Sequence, residues 1–137
     1  TAEGGTGGLV ADWLGGVDGA EGYYLGGLIA VGDEAVRRSL DVPATLIAKH
    51  STASSEAAAA MAVGCRRRFQ ADYGLAVSSF PRYEPDAAEP KPVFFALATP
   101  EGVKLKQVPF AGHPALLKIY AAKHMLDLLR LTMLEKQ

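Results

Sequence analysis

Glycine crowds the front of this 137-residue chain and forces it into short elements joined by tight turns. Eleven of the 15 glycines lie within the first 32 residues, four of them in the opening segment Thr1-Ala2-Glu3-Gly4-Gly5-Thr6-Gly7-Gly8. Glycine loses the most freedom on ordering, so it is favoured where backbone must take a positive φ or approach another segment closely. Directly after this run, Leu9, Val10, Trp13 and Leu14 recur at helical spacing until Gly15-Gly16 ends them. Thr6 is the predicted N-cap of that helix, which would begin at Gly7.

The rest of the chain alternates helical and extended patterns. Tyr23 to Val31 is apolar with aromatic and β-branched members, a predicted buried strand in which Gly26-Gly27 marks a bulge or a close backbone approach. Asp33 is expected to cap a helix through Leu40, and Pro43 to open another ending near His50. Ser54 is expected to cap an alanine-rich helix from about Ser55 to Phe69, with Glu56 placed well for its dipole. Tyr73 to Phe80 reads as a strand. Pro81 to Pro92, with four prolines and three acidic residues, reads as a loop suited to an acquired contact surface. Val93–Thr99 and Val103–Phe110, joined by Pro100-Glu101-Gly102, form a hairpin signal. Gly112-His113-Pro114 then breaks the chain before a long helix whose apolar stripe is expected from Leu116, Leu117, Tyr120, Leu128, Leu129 and Leu131. Alternating helices and strands plus one hairpin predict a three-layer α/β/α sandwich on a mixed sheet, a single domain over residues 1–137.

Composition narrows the function. With 49% apolar residues, mean hydropathy +0.10 and net charge −1, the chain has the profile of an ordinary globular domain, with no electrostatic reason to bind nucleic acid. No apolar run reaches the roughly 18 residues of a membrane span. The single cysteine, Cys65, has no internal disulfide partner and fits a reducing, cytoplasmic setting. It reads as a small core residue, although Arg66-Arg67-Arg68 beside it could lower a thiol pKa. The arginines themselves suit a helix C-terminus facing water. His50, His113 and His124 lie far apart with no metal-ligand spacing, so no metal site is expected, and nothing calls for a cofactor.

Several segments together resemble the CinA C-terminal family, which includes nicotinamide-mononucleotide deamidases. The opening run is similar to the family's A-E-S-C/T-T-G-G signature. Leu28 to Val42 resembles V-V-S-Y-S-N-E-A-K-x-x-L-L-G-V, Ser54 to Gly64 resembles V-S-E-E-V-A-x-x-M-A-x-G, and Lys91 to Val103 resembles its K-P-V-G-T-V-Y-I-A-L-A hairpin. The resemblance implies that a helix and a strand precede this point, so the sequence is expected to be trimmed at its front. It also implies self-association, a homo-oligomer.

The resemblance further implies a serine nucleophile assisted by a tyrosine and a lysine, because a hydroxyl is inert at neutral pH unless a neighbour takes its proton. Here those positions hold Gly4, Val31 and Val36, and the serine after the tyrosine is Gly32. The family's T-G-I-A-G-P loop corresponds to Ser78-Ser79-Phe80-Pro81-Arg82-Tyr83. Its late G-D-R-x-x-x-R element corresponds to Gly112 to Lys118, with Pro114 and Lys118 in place of arginines. Lysine keeps the charge without the bidentate fork. No catalytic residue is therefore expected, and the domain reads as a degenerate family member. Residual binding of a nucleotide or other small anionic ligand would fall to Glu3, Gly5, Thr6, Gly7, Gly8 and Ser78. Glu3 could instead bond the loop's own amides. The rival reading is an active amidohydrolase recruiting Thr6, Ser78 or Ser79, with Glu3, Asp33 or Lys118 as helper.

Overall fold

The computed structural model describes residues 1–137, the Pro114 side chain excepted. Five strands and five helices follow one another as β1 (Ala2–Glu3), α1 (Leu9–Gly15), β2 (Leu28–Ile29), α2 (Asp33–Leu40), α3 (Ala44–His50), α4 (Ser55–Phe69), β3 (Gly74–Val77), β4 (Pro92–Thr99), β5 (Gly102–Pro109) and α5 (Pro114–Leu134). The strands form one mixed sheet in the order β2-β1-β3-β4-β5. β1 runs parallel to both β2 and β3, whereas β3–β4 and β4–β5 are antiparallel.

Strand alternation divides the core in two. Ala76, Ala96 and Ala98 point to one face, where they meet Val36, Leu40, Met61 and Ala62 from α2 and α4. Leu75, Val77, Phe95 and Leu97 point to the other, against Val10 of α1 and Leu117, Ala121 and Met125 of α5. Small residues on the first face let α4 lie close to the sheet; large ones fill the wider space under α5. This is the α/β/α arrangement expected from the alternating pattern.

Three local expectations need correction. Tyr23 to Val31 is not a buried strand: only Leu28–Ile29 pairs, and Tyr23 and Val31 are 59% and 73% exposed. Its glycines explain this. Gly26 sits at φ 141 under the Phe69 ring, and a Cβ on Gly27 would collide with Thr1 and Tyr24, so the segment is shaped by close approach rather than by a ladder. Asp33 does not cap α2; the cap is Gly32, and Asp33 is the first helical residue. The buried stripe of α5 runs through Leu117, Ala121, Met125, Leu128 and Thr132, while Leu116, Tyr120 and Leu131 are exposed. The expected stripe holds at Leu117, Leu128 and Leu129 and misses Ala121, Ala122 and Met125, which also face the core.

Other signals were read correctly. Ser54 Oγ accepts from the Ala57 N–H at 3.1 Å and caps α4, and the Pro81-to-Lys91 stretch contains no strand. Among the described residues no helix is long and apolar enough to cross a membrane.

The α2–α4 contact hinges on Gly64, which is buried; a Cβ there would overlap the Leu40 carbonyl oxygen at the end of α2. Gly64→Ala should gain about 1 kcal/mol of helix propensity and lose about 1–3 kcal/mol to overpacking against backbone that cannot rotate away. The net expectation is destabilisation, read as a lower denaturation midpoint with unchanged m-value.

Candidate functional site at the ends of β1 and β3

β1 lies between β2 and β3, and the chain leaves it for α1 on one face before returning through β2 to α2–α4 on the other. The carboxyl ends of β1 and β3 therefore flank a topological switch point, where open α/β sheets place their ligands. Two loops meet there: Gly4 to Gly8 after β1, and Ser78 to Phe80 after β3.

The first loop is organised by Glu3, whose side chain is fully buried. One carboxylate oxygen accepts from the Thr6 hydroxyl at 2.6 Å and the Val10 N–H at 2.8 Å; the other accepts from the Ala11 N–H at 3.0 Å. A carboxylate two residues into the chain thus satisfies the open amides of the α1 N-terminus, complementing its dipole. This is the amide-bonding role weighed for Glu3. Thr6 is not the N-cap: Gly8, at φ 104, occupies that position without a side-chain bond. Thr6 is fully buried, and its hydroxyl is directed at Glu3 instead.

The two loops are laced together by backbone. Gly4 N–H donates to the Val77 carbonyl and Gly5 N–H to that of Ser78, both at 3.1 Å, prolonging the parallel pairing beyond the strands. Ser78 in turn exchanges with Phe94, its N–H donating to the Phe94 carbonyl at 2.9 Å and its hydroxyl accepting from the Phe94 N–H at 3.3 Å. Ser79 N–H donates to the Thr52 carbonyl at 3.2 Å. The junction is consequently tight. A Cβ on Gly4 would lie 2.8 Å from both the Ser78 carbonyl carbon and the Ser79 nitrogen, and one on Gly5 would fall within the Phe80 ring. Phe80 is held over Gly5 by Phe110, their ring centroids 5.1 Å apart.

Val31 stands in solvent just beyond β2, and Val36 is fully buried in the hydrocarbon core beneath α2. The two share no environment, and neither brings a polar atom to Gly4. One cation does approach the glycine loop: Lys118 Nζ lies 3.6 Å from the point a Gly7 Cβ would occupy. Among the described residues, no cluster of His, Cys, Asp or Glu could hold a metal ion, and no buried side-chain polar atom lacks a partner.

A cavity of about 440 Å³ lies at the opposite ends of β1 and β3, bordered by Thr1, Tyr24, Cys65, Phe69, Tyr73 and Met133, with none of Gly4 to Gly8 in its wall. Burial pushes the Tyr24 phenol above its ordinary pKa, against the opposing pull of its bond to Thr1. Sequence reading missed both this hollow and the Phe80 anchor. The Glu3–Thr6 spacing of three residues was the available signal for their bond.

Comparison with known proteins fits this geometry. Residues 1–133 match the model of the CinA C-terminal domain family. A CinA-like protein of Frankia casuarinae is 38% identical over 132 residues, covering 94% of this chain and 30% of the relative. One of Geobacter sulfurreducens is 37% identical over 133 residues, covering 94% and 32%. The chain thus spans about a third of the length of these curated relatives. The crystal structure of competence damage-inducible protein A from Klebsiella pneumoniae matches with a TM-score of 0.89 at 29% identity, covering 99% of this chain and 86% of that one.

Removing the Glu3 carboxylate would strand the Thr6 hydroxyl and two helix amides, each costing about 1–3 kcal/mol when buried and unpaired. Glu3→Ala is expected to destabilise by about 3 kcal/mol or more, and Glu3→Gln by less because it retains one acceptor. A thermal melt in which Glu3→Ala matches wild type would show that the carboxylate is free for a ligand.

Proposed function

We propose that this chain, which belongs to the CinA C-terminal domain family, is a catalytically degenerate member serving as a binding, regulatory or structural module rather than as an amidohydrolase. The observation that carries this reading is the Gly4 position. It has no hydroxyl, and the backbone of Ser78 and Ser79 leaves no room for one. Amide hydrolysis by an acyl-enzyme route needs a nucleophile, a base to take its proton and space for the tetrahedral intermediate. Glycine supplies none of the first, and the base positions hold valines.

Two of the three hydroxyls that could substitute, those of Thr6 and Ser78, are already engaged. Thr6 donates to Glu3, and Ser78 donates to the Ser79 carbonyl while accepting from Phe94. Recruiting either would break a buried bond and leave its partner unsatisfied. Glu3, the nearest carboxylate, is committed to three donors and has no role left as a base.

What the loop retains is an anion-friendly surface. Gly7 and Gly8, both at positive φ, present backbone without side chains, and Lys118 adds a charge beside them. A nucleotide phosphate or another small anion suits such a surface, as a contact made by exposed lysine rather than by an arginine fork. Gly5, Thr6, Ser78 and Glu3 then shape the loop from beneath, and the ligand touches Gly7, Gly8 and Lys118.

Purified protein incubated with nicotinamide mononucleotide is expected to release no ammonia above the buffer rate; robust turnover would falsify the degenerate reading. Gly4→Ser is expected not to restore activity and to destabilise by about 1–3 kcal/mol through overpacking against Ser78. For binding, a mononucleotide at 100 times its dissociation constant would add about 2.7 kcal/mol of stability. The rise in melting temperature should vanish in Lys118→Ala; no rise with any mononucleotide leaves a purely structural module.

A further inference from the structure

We infer that the outer edge of β2 is a docking strip for a short extended peptide of another protein, apolar at alternate positions and carrying lysine or arginine at both ends. The inference does not depend on what the glycine loop binds. It starts from the sheet order, in which β2 has β1 on one side and no strand on the other. Leu28 N–H donates to the Thr1 carbonyl and Ala30 N–H to that of Glu3. Alternate residues of a strand direct their N–H and C=O groups to opposite sides, so those of Gly27, Ile29 and Val31 face outward. Among the described residues, neither Gly27 N–H nor Val31 N–H finds a backbone acceptor in the chain. Such an edge is a template for an added strand.

Side chains along this edge alternate in exposure. Tyr24, Gly26, Leu28 and Ala30 are buried or half-buried, whereas Tyr23, Leu25, Ile29 and Val31 are exposed. A half-buried strand ordinarily shows polar residues to water. Here the outward set is apolar throughout, with Leu25 and Ile29 59% and 57% exposed. A row of exposed apolar side chains rimmed by charge marks a contact surface.

The rim is acidic. The first 36 residues hold Glu3, Asp12, Asp18, Glu21, Asp33 and Glu34 and no lysine or arginine. Glu3 is buried and committed to its own loop, and Glu34 is paired with Arg37 and Arg38. Asp12, Asp18, Glu21 and Asp33 are exposed, and among the described residues none of them has a basic partner. Asp18 and Glu21 precede the apolar row and Asp33 follows it. Asp12 lies beside its middle, on α1, where the Ala11 Cβ stands 3.4 Å from the point a Gly27 Cβ would occupy.

These features select the occupant. In strand addition the main chain supplies affinity and side chains at alternate positions supply specificity. Apolar residues on the incoming strand continue the row of Leu25, Ile29 and Val31. Cations at its two ends meet Asp18 and Glu21 on one side and Asp33 on the other. β2 itself is only two residues long, which suits a short peptide better than a long strand of another sheet. Charge argues against a second copy of this chain. Turned antiparallel, it would set Asp33 against Asp18 and Glu21, and like charges brought opposite one another destabilise a strand pair.

The probe is a synthetic peptide of alternating valine and threonine flanked at each end by two lysines, titrated into the purified protein by calorimetry. One peptide is expected to bind per chain, more weakly as salt rises, with deuterium uptake by the Gly27, Ile29 and Val31 amides falling on its addition. N-methylation of every second peptide residue, or glutamates in place of its lysines, should abolish binding. Leu25→Lys, and Asp18→Lys combined with Glu21→Lys, should each weaken it by at least about tenfold. Leu134→Lys, an exposed site at the end of α5, should leave it unchanged. If Leu25→Lys proves unfolded by circular dichroism, Val31→Lys and the wild-type exchange data decide instead. No binding overturns the proposal, as does binding that survives N-methylation or leaves the β2 amides exchanging freely. Amides already protected before peptide is added would show the edge occupied by a second copy and overturn it equally.

Discussion

The loop after β1 keeps its shape because a buried carboxylate is surrounded by donors. Ionised carboxylate taken out of water is costly unless hydrogen bonds replace its hydration, and Glu3 has three: one hydroxyl and two helix amides. The exchange is mutual. α1 is only seven residues long, below the length at which a helix sustains itself, and its N-cap glycine contributes no side-chain bond. Glu3 supplies that missing cap from the end of the neighbouring strand, so strand, loop and helix are ordered as one unit. The packing of Val10 and Trp13 against the α5 side of the core follows from that anchorage.

Glycine and phenylalanine complete the junction in complementary ways. With Gly4 and Gly5 lacking side chains, their amides reach the Val77 and Ser78 carbonyls and the two loops close on each other. The Phe80 ring then occupies the volume above Gly5, braced by Phe110. Interiors are packed at crystal-like density, so a site closed by backbone on one side and an aromatic ring on the other is not reopened by one polar substitution. Gly4 brings no hydroxyl of its own, and the packing sets the Ser78 and Ser79 backbone 2.8 Å from where its Cβ would stand.

Much of this was legible in the sequence, and the limits have physical causes. The capping signal at Ser54, the hairpin at Pro100-Glu101-Gly102 and the helical breaks depend on nearest neighbours, and they emerged where expected. So did the alternation that gives three layers. The Tyr23-to-Val31 segment misled because its apolar content suits a strand, whereas its conformation is set by Thr1, Ala11 and Phe69, all distant in sequence. The α5 stripe was right at Leu117, Leu128 and Leu129 and incomplete elsewhere, because Ala121, Ala122 and Met125 share the buried face with them. At the candidate site the residue types at Gly4, Val31 and Val36 could be read directly, while their correspondence to catalytic positions comes from the resemblance alone. That Thr6 would turn to Glu3 rather than cap α1, and that Phe80 would lie on Gly5, are consequences of two loops meeting, which no local pattern encodes.

The energetic roles of the site positions are unequal, and this bears on how a fold can outlast its chemistry. Glu3, Thr6 and Ser78 are polar groups whose hydrogen bonds hold buried backbone, so removing any of them leaves partners unsatisfied at about 1–3 kcal/mol each. Such a loss is large against a total stability of about 5–15 kcal/mol. Val31 stands in solvent, where nearly any side chain costs little, and Val36 contributes to the core as a hydrocarbon. A catalytic lysine at such a buried position would have to carry its charge past Leu40 and Met61, a standing cost that valine removes. Structural polar groups are therefore hard to exchange, whereas the positions that would prime a nucleophile are neutral or better when apolar. A domain of this design can shed its reaction without loosening its core. Under the proposed reading, the surface left for function is one the core does not use, the glycine loop beside Lys118.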